Sequence, residues 1–387
     1  MKIFFKYFVL LTFLISMPIA MKGQGIDELL QSAKQGDVES QVGVAACYFT
    51  GTLVPKDYAQ AYFWYSKAAQ QGNPNAQYMA GKMCLAGQGT EMNENLGANW
   101  ILQAAKQNHP KAQNDIAFCF ALGKGLVKDN EKALEWWHKA VGAGSADACL
   151  NLGIMYATGK LVKKDAKMAL GYFLRLPNNP IAQEWLGTLY FLGNGGVEKN
   201  YAKSTEWFKK VVSDGKPANT SVYGFLGFCY FNGGYGLEAD KEEALKWYLY
   251  GSAYNDPLSV DGVGWCNYIG VGEQHDFDFA VMCFNQAVNL NKEYSPAYRH
   301  LGICYFEGNG VEKDYKEAVR LFEIAANGKI QDVEAMKRLA ECYTYGYGVS
   351  KDLNKVQYWK NRAGELNENV AMENENLKER CLKFLPF

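Results

Sequence analysis

The stretch LGICYFEGNGVEKDYKEAVRLF, residues Leu301–Phe322, returns in altered form nine times along the 387-residue chain. Another clear copy begins at Leu152, and the period is close to 36 residues. A repeat of this length predicts one structural unit stacked on itself, rather than two or three unrelated domains.

Each copy contains a stop signal for one helix and a start signal for the next. Glycine tolerates the left-handed backbone that ends a helix, and Asp or Asn is favoured as the N-cap of a following helix. Each copy is therefore predicted to form a pair of helices joined by a short turn. The glycines are Gly51, Gly87, Gly123, Gly159, Gly193, Gly233, Gly270, Gly308 and Gly346, and the caps are Asp57, Asn93, Asp129, Asp165, Asn200, Asp240, Asp276, Asp314 and Asp352.

Apolar residues recur at helical spacing on both sides of the glycine. Before it, the pattern A-x-x-x-L-G-x-x-Y places apolar positions on one helix face. After the cap, an alanine is followed three residues later by an aromatic position, which is expected to fill the space between helix pairs. Six of the nine tryptophans share that position: Trp64, Trp100, Trp136, Trp207, Trp247 and Trp359.

Together these motifs resemble the Sel-one-like repeat, a relative of the tetratricopeptide repeat, from about Glu39 to Asn367. The resemblance implies an all-α, right-handed α-solenoid, a superhelix of about nine antiparallel helix pairs. It also implies an adaptor for protein partners, often in envelope or host-facing assemblies of exported bacterial members. We expect residues 24–38 to form a half-repeat cap, residues 39–367 nine repeats, and residues 368–387 a capping helix.

The first 23 residues have the layout of a secretory signal peptide. Lys2 and Lys6 precede an apolar run, a small and polar stretch follows, and no acidic residue is present. The run is short for a bilayer span, so we expect cleavage after Gly23, or otherwise after Ala20. The sequence therefore predicts an exported protein, periplasmic or extracellular, without an integral membrane segment after signal removal.

The charge balance argues against polyanionic partners. The chain has 40 Lys and Arg residues against 41 Asp and Glu residues, a net charge of −1. Because such a chain has no overall positive field, neither nucleic acid nor an anionic membrane is an expected partner.

Some copies depart from the pattern. Pro177 and Pro180 are expected to shorten the second helix of the fourth copy by about one turn. A longer linker and a longer loop predict an irregularity between Ser213 and Asp240. Asn267 and Cys283 replace aromatic residues in the seventh copy and predict a weaker local core.

The ten cysteines are interpreted as packing residues, and no disulfide is expected. Six of them precede the aromatic position of a first helix, one in each of six repeats, and stacked repeats lie roughly 10 Å apart. The cysteine-rich branch of the family pairs the two helices within a repeat; Cys149 matches one such position, but Val141 stands at the other. The remaining cysteines, Cys84, Cys283 and Cys381, have no evident partner either.

No catalytic, metal or cofactor site is predicted. The four histidines lie in four different copies, without the spacing of a metal motif. Ser213–Lys216 matches S-x-x-K, but it lies in a linker and lacks the companion motifs of penicillin-recognising enzymes.

The candidate site is a stripe on the inner face of the first helices. Tetratricopeptide geometry places the residues just after the L-G pair and the aromatic position on the concave wall. Exposed aromatic patches often mark binding sites, although these rings would alternatively pack against the adjoining repeat. The stripe comprises Phe191, Phe228, Phe231, Trp265, Tyr268 and Phe306, flanked by Asp261, Arg299 and Lys337.

The leading functional hypothesis is a non-enzymatic envelope scaffold that binds a peptide or partner helix on this stripe. The first alternative is a glycan or peptidoglycan binder, because flat aromatic faces also stack on sugars. The second is a penicillin-related hydrolase, for which no nucleophile and base pair is evident in the sequence.

Overall fold

A computed structural model describes residues 25–368, apart from residues 214, 216, 218 and 273. This part of the chain contains nineteen α-helices and no β-strand, which confirms the predicted all-α repeat solenoid. No helix in the same residues has both the length and the apolar character needed to cross a membrane. The predicted signal peptide and residues 369–387 of the predicted capping helix lie outside the described residues.

The helices form one leading helix and nine consecutive pairs. Helix α1 precedes repeat 1. Each of the nine repeats consists of an even-numbered first helix and an odd-numbered second helix. The bounds are α1 Ile26–Lys34, α2 Val38–Thr50, α3 Tyr58–Gln70, α4 Pro74–Ala86, α5 Glu94–Lys106, α6 Pro110–Leu122, α7 Asn130–Gly142, α8 Ala146–Thr158, α9 Ala166–Leu174, α10 Pro180–Leu192, α11 Tyr201–Ser213, α12 Ser221–Asn232, α13 Lys241–Ser252, α14 Pro257–Tyr268, α15 Phe277–Leu290, α16 Ser295–Glu307, α17 Tyr315–Asn327, α18 Val333–Tyr345 and α19 Leu353–Glu368.

The predicted stop and start signals act as expected. All nine glycines have positive φ angles, which a side chain rarely tolerates. All nine Asp or Asn caps accept a hydrogen bond from a backbone N–H at the start of the second helix; Asp57 Oδ1, for instance, accepts from Gln60 N at 3.0 Å. Helix α9 has only nine residues, in line with the effect expected of Pro177 and Pro180.

The two helices of a pair approach most closely at the glycine of the L-G pair. A Cβ added to Gly187 would lie 2.4 Å from the ring of Phe208, and one added to Gly302 would lie 2.5 Å from the ring of Phe322. Both phenylalanines are fully buried. The glycine therefore lets a large ring from the second helix pack directly against the first helix.

This contact corrects the role expected of the tryptophans. In repeats 2 and 4 to 8, the residue after the shared tryptophan position lies against the glycine of the first helix, whereas Lys360 at this position in repeat 9 is exposed. Trp64 and Trp359 are buried, whereas the other four tryptophans of the set are only half-buried. At the position after the shared tryptophan, the fully buried residues include Ile101, Trp137, Phe173, Phe208, Phe284 and Phe322.

The cysteines of the described residues are packing residues. Nine of the ten are buried in the helices, and Cys381 lies outside the described part. Burial raises the pKa of the Cys229 and Cys266 thiols to about 12. Such thiols stay protonated at neutral pH and behave as small apolar side chains.

The chain divides into two compact units, with the boundary between Leu152 and Gly153 in α8. Repeats 1 to 3 lie in the first unit, and repeats 5 to 9 lie in the second. In the second unit, the longer loop of repeat 6 closes through a backbone bridge between Gly234 and Leu237. The candidate site lies wholly within the second unit.

Candidate functional site

A cavity of about 320 Å³ lies in the second unit, against the first helices of repeats 5 to 8. Helices α10, α12, α14 and α16 supply most of its lining, because each turns the same face toward it. Its aromatic residues are Phe191, Phe225, Phe228, Phe231, Tyr248, Trp265 and Tyr294, and its polar residues are Asn232, Asp261, Arg299 and His300.

The structure brings six of the nine predicted site residues to this cavity. Phe228 and Phe231 on α12 and Trp265 on α14 are partly exposed and line the cavity. Phe191 is buried at 6% exposure and supports Phe228, whose ring centroid lies 5.5 Å away in an edge contact. The other two residues are Asp261 and Arg299.

The other three predicted residues lie elsewhere, so the stripe is shorter than predicted. Tyr268 is buried behind the cavity, where it stacks on Trp265 with ring centroids 5.2 Å apart, packs against Phe277 and donates its hydroxyl to Glu307. Phe306 packs at 5.0 Å and 5.3 Å against the rings of two neighbouring tyrosines. Lys337 is exposed and pairs with Glu334 at 3.1 Å. The alternative of ring packing, left open by the sequence, applies to Tyr268 and Phe306.

Asp261 is the centre of a buried polar cluster. It is 4% exposed, and its two carboxylate oxygens bond to different partners. Oδ1 lies 2.7 Å from His300 Nδ1, and Oδ2 accepts from the hydroxyl of Tyr294 at 3.2 Å. These bonds compensate for burying the carboxylate and hold it within the protein.

His300 joins that cluster to the aromatic floor of the cavity. Its ring is 5% exposed and stacks on Trp265, with centroids 4.4 Å apart and planes at 16°. Burial lowers the pKa of His300, and this effect exceeds the opposing attraction of Asp261. The imidazole is therefore neutral at pH 7, with Nδ1–H as donor to Asp261.

Arg299 adds a mostly buried positive charge. Its Nε–H donates to Asp332 Oδ2 at 2.9 Å, and the other oxygen of Asp332 caps α18 by accepting from Ala335 N. Burial alone lowers the pKa of Arg299, but the carboxylate of Asp332 raises it above its usual value. The side chain of Arg299 is 20% exposed and lines the cavity.

Sequence reasoning missed Tyr294 and His300. Tyr294 precedes α16 and lies outside the repeated motif, and His300 occupies a position that varies from copy to copy. The available signal was an acid on the core-facing side of one first helix, Asp261, with a histidine one repeat later. The polar atoms of such residues seek a partner when they are buried.

Within the described residues, no cluster of side chains is arranged to hold a metal ion. Ser213 ends α11 and donates its hydroxyl to the Lys210 carbonyl, whereas Lys216 of the S-x-x-K match lies outside the described residues. Ser213 does not line the cavity.

Comparison with protein families and solved structures agrees with this architecture. The Sel1 repeat model matches residues 38–73, 74–109, 110–145, 146–176, 180–213, 223–253, 261–292, 295–329 and 333–367. The search of curated proteins returned no match.

Two similar crystal structures cover most of the chain. The first is c5321, a protective antigen of uropathogenic Escherichia coli strains with an SLR fold; it is 26% identical over 92% of this chain and 83% of its own, with a TM-score of 0.62. The second is a Sel1 repeat protein from Oxalobacter formigenes, 23% identical over 86% of this chain and 99% of its own, with a TM-score of 0.55.

Proposed function

Because the chain belongs to the Sel1 repeat family, whose fold generally serves as a protein–protein interaction scaffold, we propose that it is an exported scaffold of the cell envelope. Its partner is a peptide segment or a helix that binds at the aromatic cavity of repeats 5 to 8. The observation that carries this proposal is the group of partly exposed rings, Phe228, Phe231 and Trp265, on successive first helices.

These rings suit a protein partner in several respects. Large aromatic side chains at the centre of an interface supply most of the binding energy in many complexes. The cavity volume of about 320 Å³ matches one or two large apolar side chains. Stacking on His300 and the edge contact with Phe191 hold two of the rings in place before a partner binds, which reduces the ordering that binding requires.

The cavity lining also favours binding over acyl transfer. His300 and Asp261 form a pair of the kind that activates a nucleophile in some hydrolases. No serine, threonine or cysteine is present among the described residues that line the cavity. We therefore propose that the pair maintains the shape of the site.

Export is proposed on the amino-terminal sequence, where Lys2 and Lys6 precede an apolar run. The similar Escherichia coli protein is a protective antigen, which also favours an exposed location for this chain. Amino-terminal sequencing of the protein from the native cell tests this part. A chain starting at Gln24 supports it, and a retained Met1 in the cytoplasmic fraction contradicts it.

The scaffold is tested by affinity capture from an envelope extract of the native cell. The protein is compared with a Phe231→Ser/Trp265→Ser variant and with Phe63→Ser/Tyr358→Ser, which removes two exposed aromatic side chains outside the cavity. Circular dichroism checks that all three are folded. A polypeptide retained by the parent and the control, but lost with the cavity variant, is expected.

Equal retention of that polypeptide by all three proteins would contradict binding in the cavity. In another outcome, the parent and the control capture no polypeptide but retain purified cell-wall polymer that the cavity variant does not retain. That result would indicate that the partner is a glycan and not a protein.

A further inference from the structure

The open hydrogen-bond donors of one charged side chain, Arg299, lie in the cavity wall. A guanidinium has five N–H donors. Within the described residues, Arg299 uses one of them, Nε–H, toward Asp332. The four N–H groups of its two terminal nitrogens remain for a ligand or for water, and Arg299 lines the cavity.

The acidic groups beside Arg299 already have hydrogen-bond partners within the protein. Asp261 bonds His300 with one carboxylate oxygen and Tyr294 with the other. Asp332 accepts from Ala335 N with Oδ1 and from Arg299 with Oδ2. A cationic ligand would lie beside the positive guanidinium of Arg299, whereas an anion finds unused donors there.

A second positive charge lies beside Phe231, one of the cavity residues. Lys241 Nζ is 5.7 Å from the ring centroid of Phe231, and Lys241 is exposed. An acidic segment lying along Phe231, Trp265 and Arg299 would thus meet a cation near each end of that path. Opposite charges across an interface fix the orientation of a partner and speed its association.

On the basis of the proposed scaffold function, we infer that the partner segment is acidic. It places a large apolar side chain against Phe228, Phe231 and Trp265. An Asp or Glu side chain within one residue of that apolar residue binds the open fork of Arg299. Planar, bidentate pairing with a carboxylate is the contact that a guanidinium favours.

The inference is tested by affinity selection from a synthetic octapeptide library, acetylated at the N terminus and amidated at the C terminus. A second library with a free C-terminal carboxylate is selected in parallel. The parent protein is compared with Arg299→Gln and with Lys337→Gln, which also removes one positive charge but lies outside the cavity.

The parent and Lys337→Gln are expected to enrich peptides in which Phe, Trp or Leu adjoins Asp or Glu. Arg299→Gln should lose the preference for the acid while keeping the preference for the apolar residue. In calorimetry with one selected peptide, replacing its Glu by Gln should weaken binding to the parent about tenfold or more, the range of a hydrogen bond to a charged group.

The Arg299→Lys variant tests whether the loss of peptide affinity in Arg299→Gln comes only from a disturbed structure. It keeps a charge for Asp332 but lacks the fork, so its affinity should lie between the parent and Arg299→Gln. Affinity for the selected peptide should also fall as sodium chloride rises from 50 to 300 mM, as screening requires.

Enrichment of apolar peptides without acids would overturn the acidic partner but leave the scaffold. Enrichment only in the library with free carboxylates would overturn the side-chain acid in favour of a chain terminus. No enrichment by the parent would overturn the inference, and the scaffold itself fails only if the capture experiment also shows no effect of the cavity variant.

Discussion

The buried polar contacts of the first helices differ between repeats 1 to 3 and repeats 6 to 8. In repeats 1 and 2 a buried glutamine ties each repeat to the one before it. Gln41 donates to the Ala33 carbonyl, and its own carbonyl accepts from Gln71 at 2.9 Å. Gln77 makes the same two bonds, to Ala69 and from Gln107.

In repeats 6 to 8 the glutamine position holds Tyr223, Val260 and Tyr298. The polar groups instead surround the cavity, where Asp261 bonds His300 and Tyr294. The glycine and aspartate frame is the same in both regions. The comparison teaches that the frame sets the fold, whereas the variable positions of the first helix determine which polar contacts form inside each region.

The largest expected effect concerns the position of the L-G glycine, where the two helices of a pair approach most closely. Only some repeats have glycine at this position. Repeats 1 and 3 have Ala45 and Ala117 there, whereas repeat 5 has Gly187. A Cβ at Gly187 would lie 2.4 Å from the buried Phe208 ring. We expect Gly187→Ala to lower the free energy of unfolding by about 1–3 kcal/mol, as overpacking does.

The control is Gly171→Ala in α9, where no atom lies within 4 Å of an added Cβ. Alanine should stabilise that helix by about 0.5–1 kcal/mol. Urea unfolding followed by circular dichroism measures both changes. A Gly187→Ala variant as stable as the control would show that the close contact does not constrain the repeat.

The next effect concerns the pH dependence of the buried cluster around His300. Burial lowers the pKa of His300 in the folded state from its ordinary 6.5. The unfolded chain therefore binds more protons as pH falls, and stability decreases from about pH 6.5 downward, by up to about 1.4 kcal/mol per pH unit for one group. Urea midpoints at pH 7.5 and pH 5.5 measure the change.

His300→Gln should be less stable than the parent at pH 7.5 but should lose less stability on acidification. Burial also lowers the pKa of His109 in the first unit, so His109→Asn is the matched variant. If the parent and His300→Gln lose stability equally on acidification, the account of the buried cluster is wrong.

The smallest expected effect concerns Gln113, the buried glutamine of repeat 3, which lacks one of the hydrogen bonds made by Gln41 and Gln77. Gln113 donates to the Ala105 carbonyl, but its own buried carbonyl has no hydrogen-bond partner. Repeat 3 has Ala143 where repeats 1 and 2 have Gln71 and Gln107, with closely similar backbone angles. Ala143→Gln should supply the missing donor and stabilise the protein by about 0.5–1.5 kcal/mol.

Thermal unfolding of Ala143→Gln and of Ala143→Leu tests this expectation. The leucine adds a side chain of similar length without a donor, and it should give no comparable gain. Equal midpoints for the two variants would mean that the glutamine contacts do not hold successive repeats together.

Most of the fold could be predicted because its signals are demands on the backbone. A residue with positive φ after a helix favours glycine, and the start of the next helix favours Asp or Asn, so Gly51 and Asp57 specify a turn without knowledge of the surroundings. The position of the buried ring could not be predicted as well. Trp207 and Phe208 are both aromatic, and only the packed structure shows that Phe208 lies against Gly187.

The candidate site could be predicted only in part, because it depends on distances between repeats. Phe231, Tyr268 and Phe306 occupy equivalent positions in successive repeats, yet Tyr268 and Phe306 pack against neighbouring rings while Phe231 lines the cavity. The difference comes from residues outside the repeated motif. Phe306 contacts Tyr347 from the following repeat, a partner that the repeat pattern does not indicate.

The claim that a protein partner occupies the cavity is tested most directly by site-specific photo-crosslinking. The photoreactive residue p-benzoylphenylalanine replaces Phe231 in one protein and the exposed Phe63 of the first unit in another. Each is irradiated in an envelope extract of the native cell. A discrete crosslinked polypeptide at position 231 and none at position 63 is the predicted result, and the same product at both positions, or none at 231, would contradict the claim.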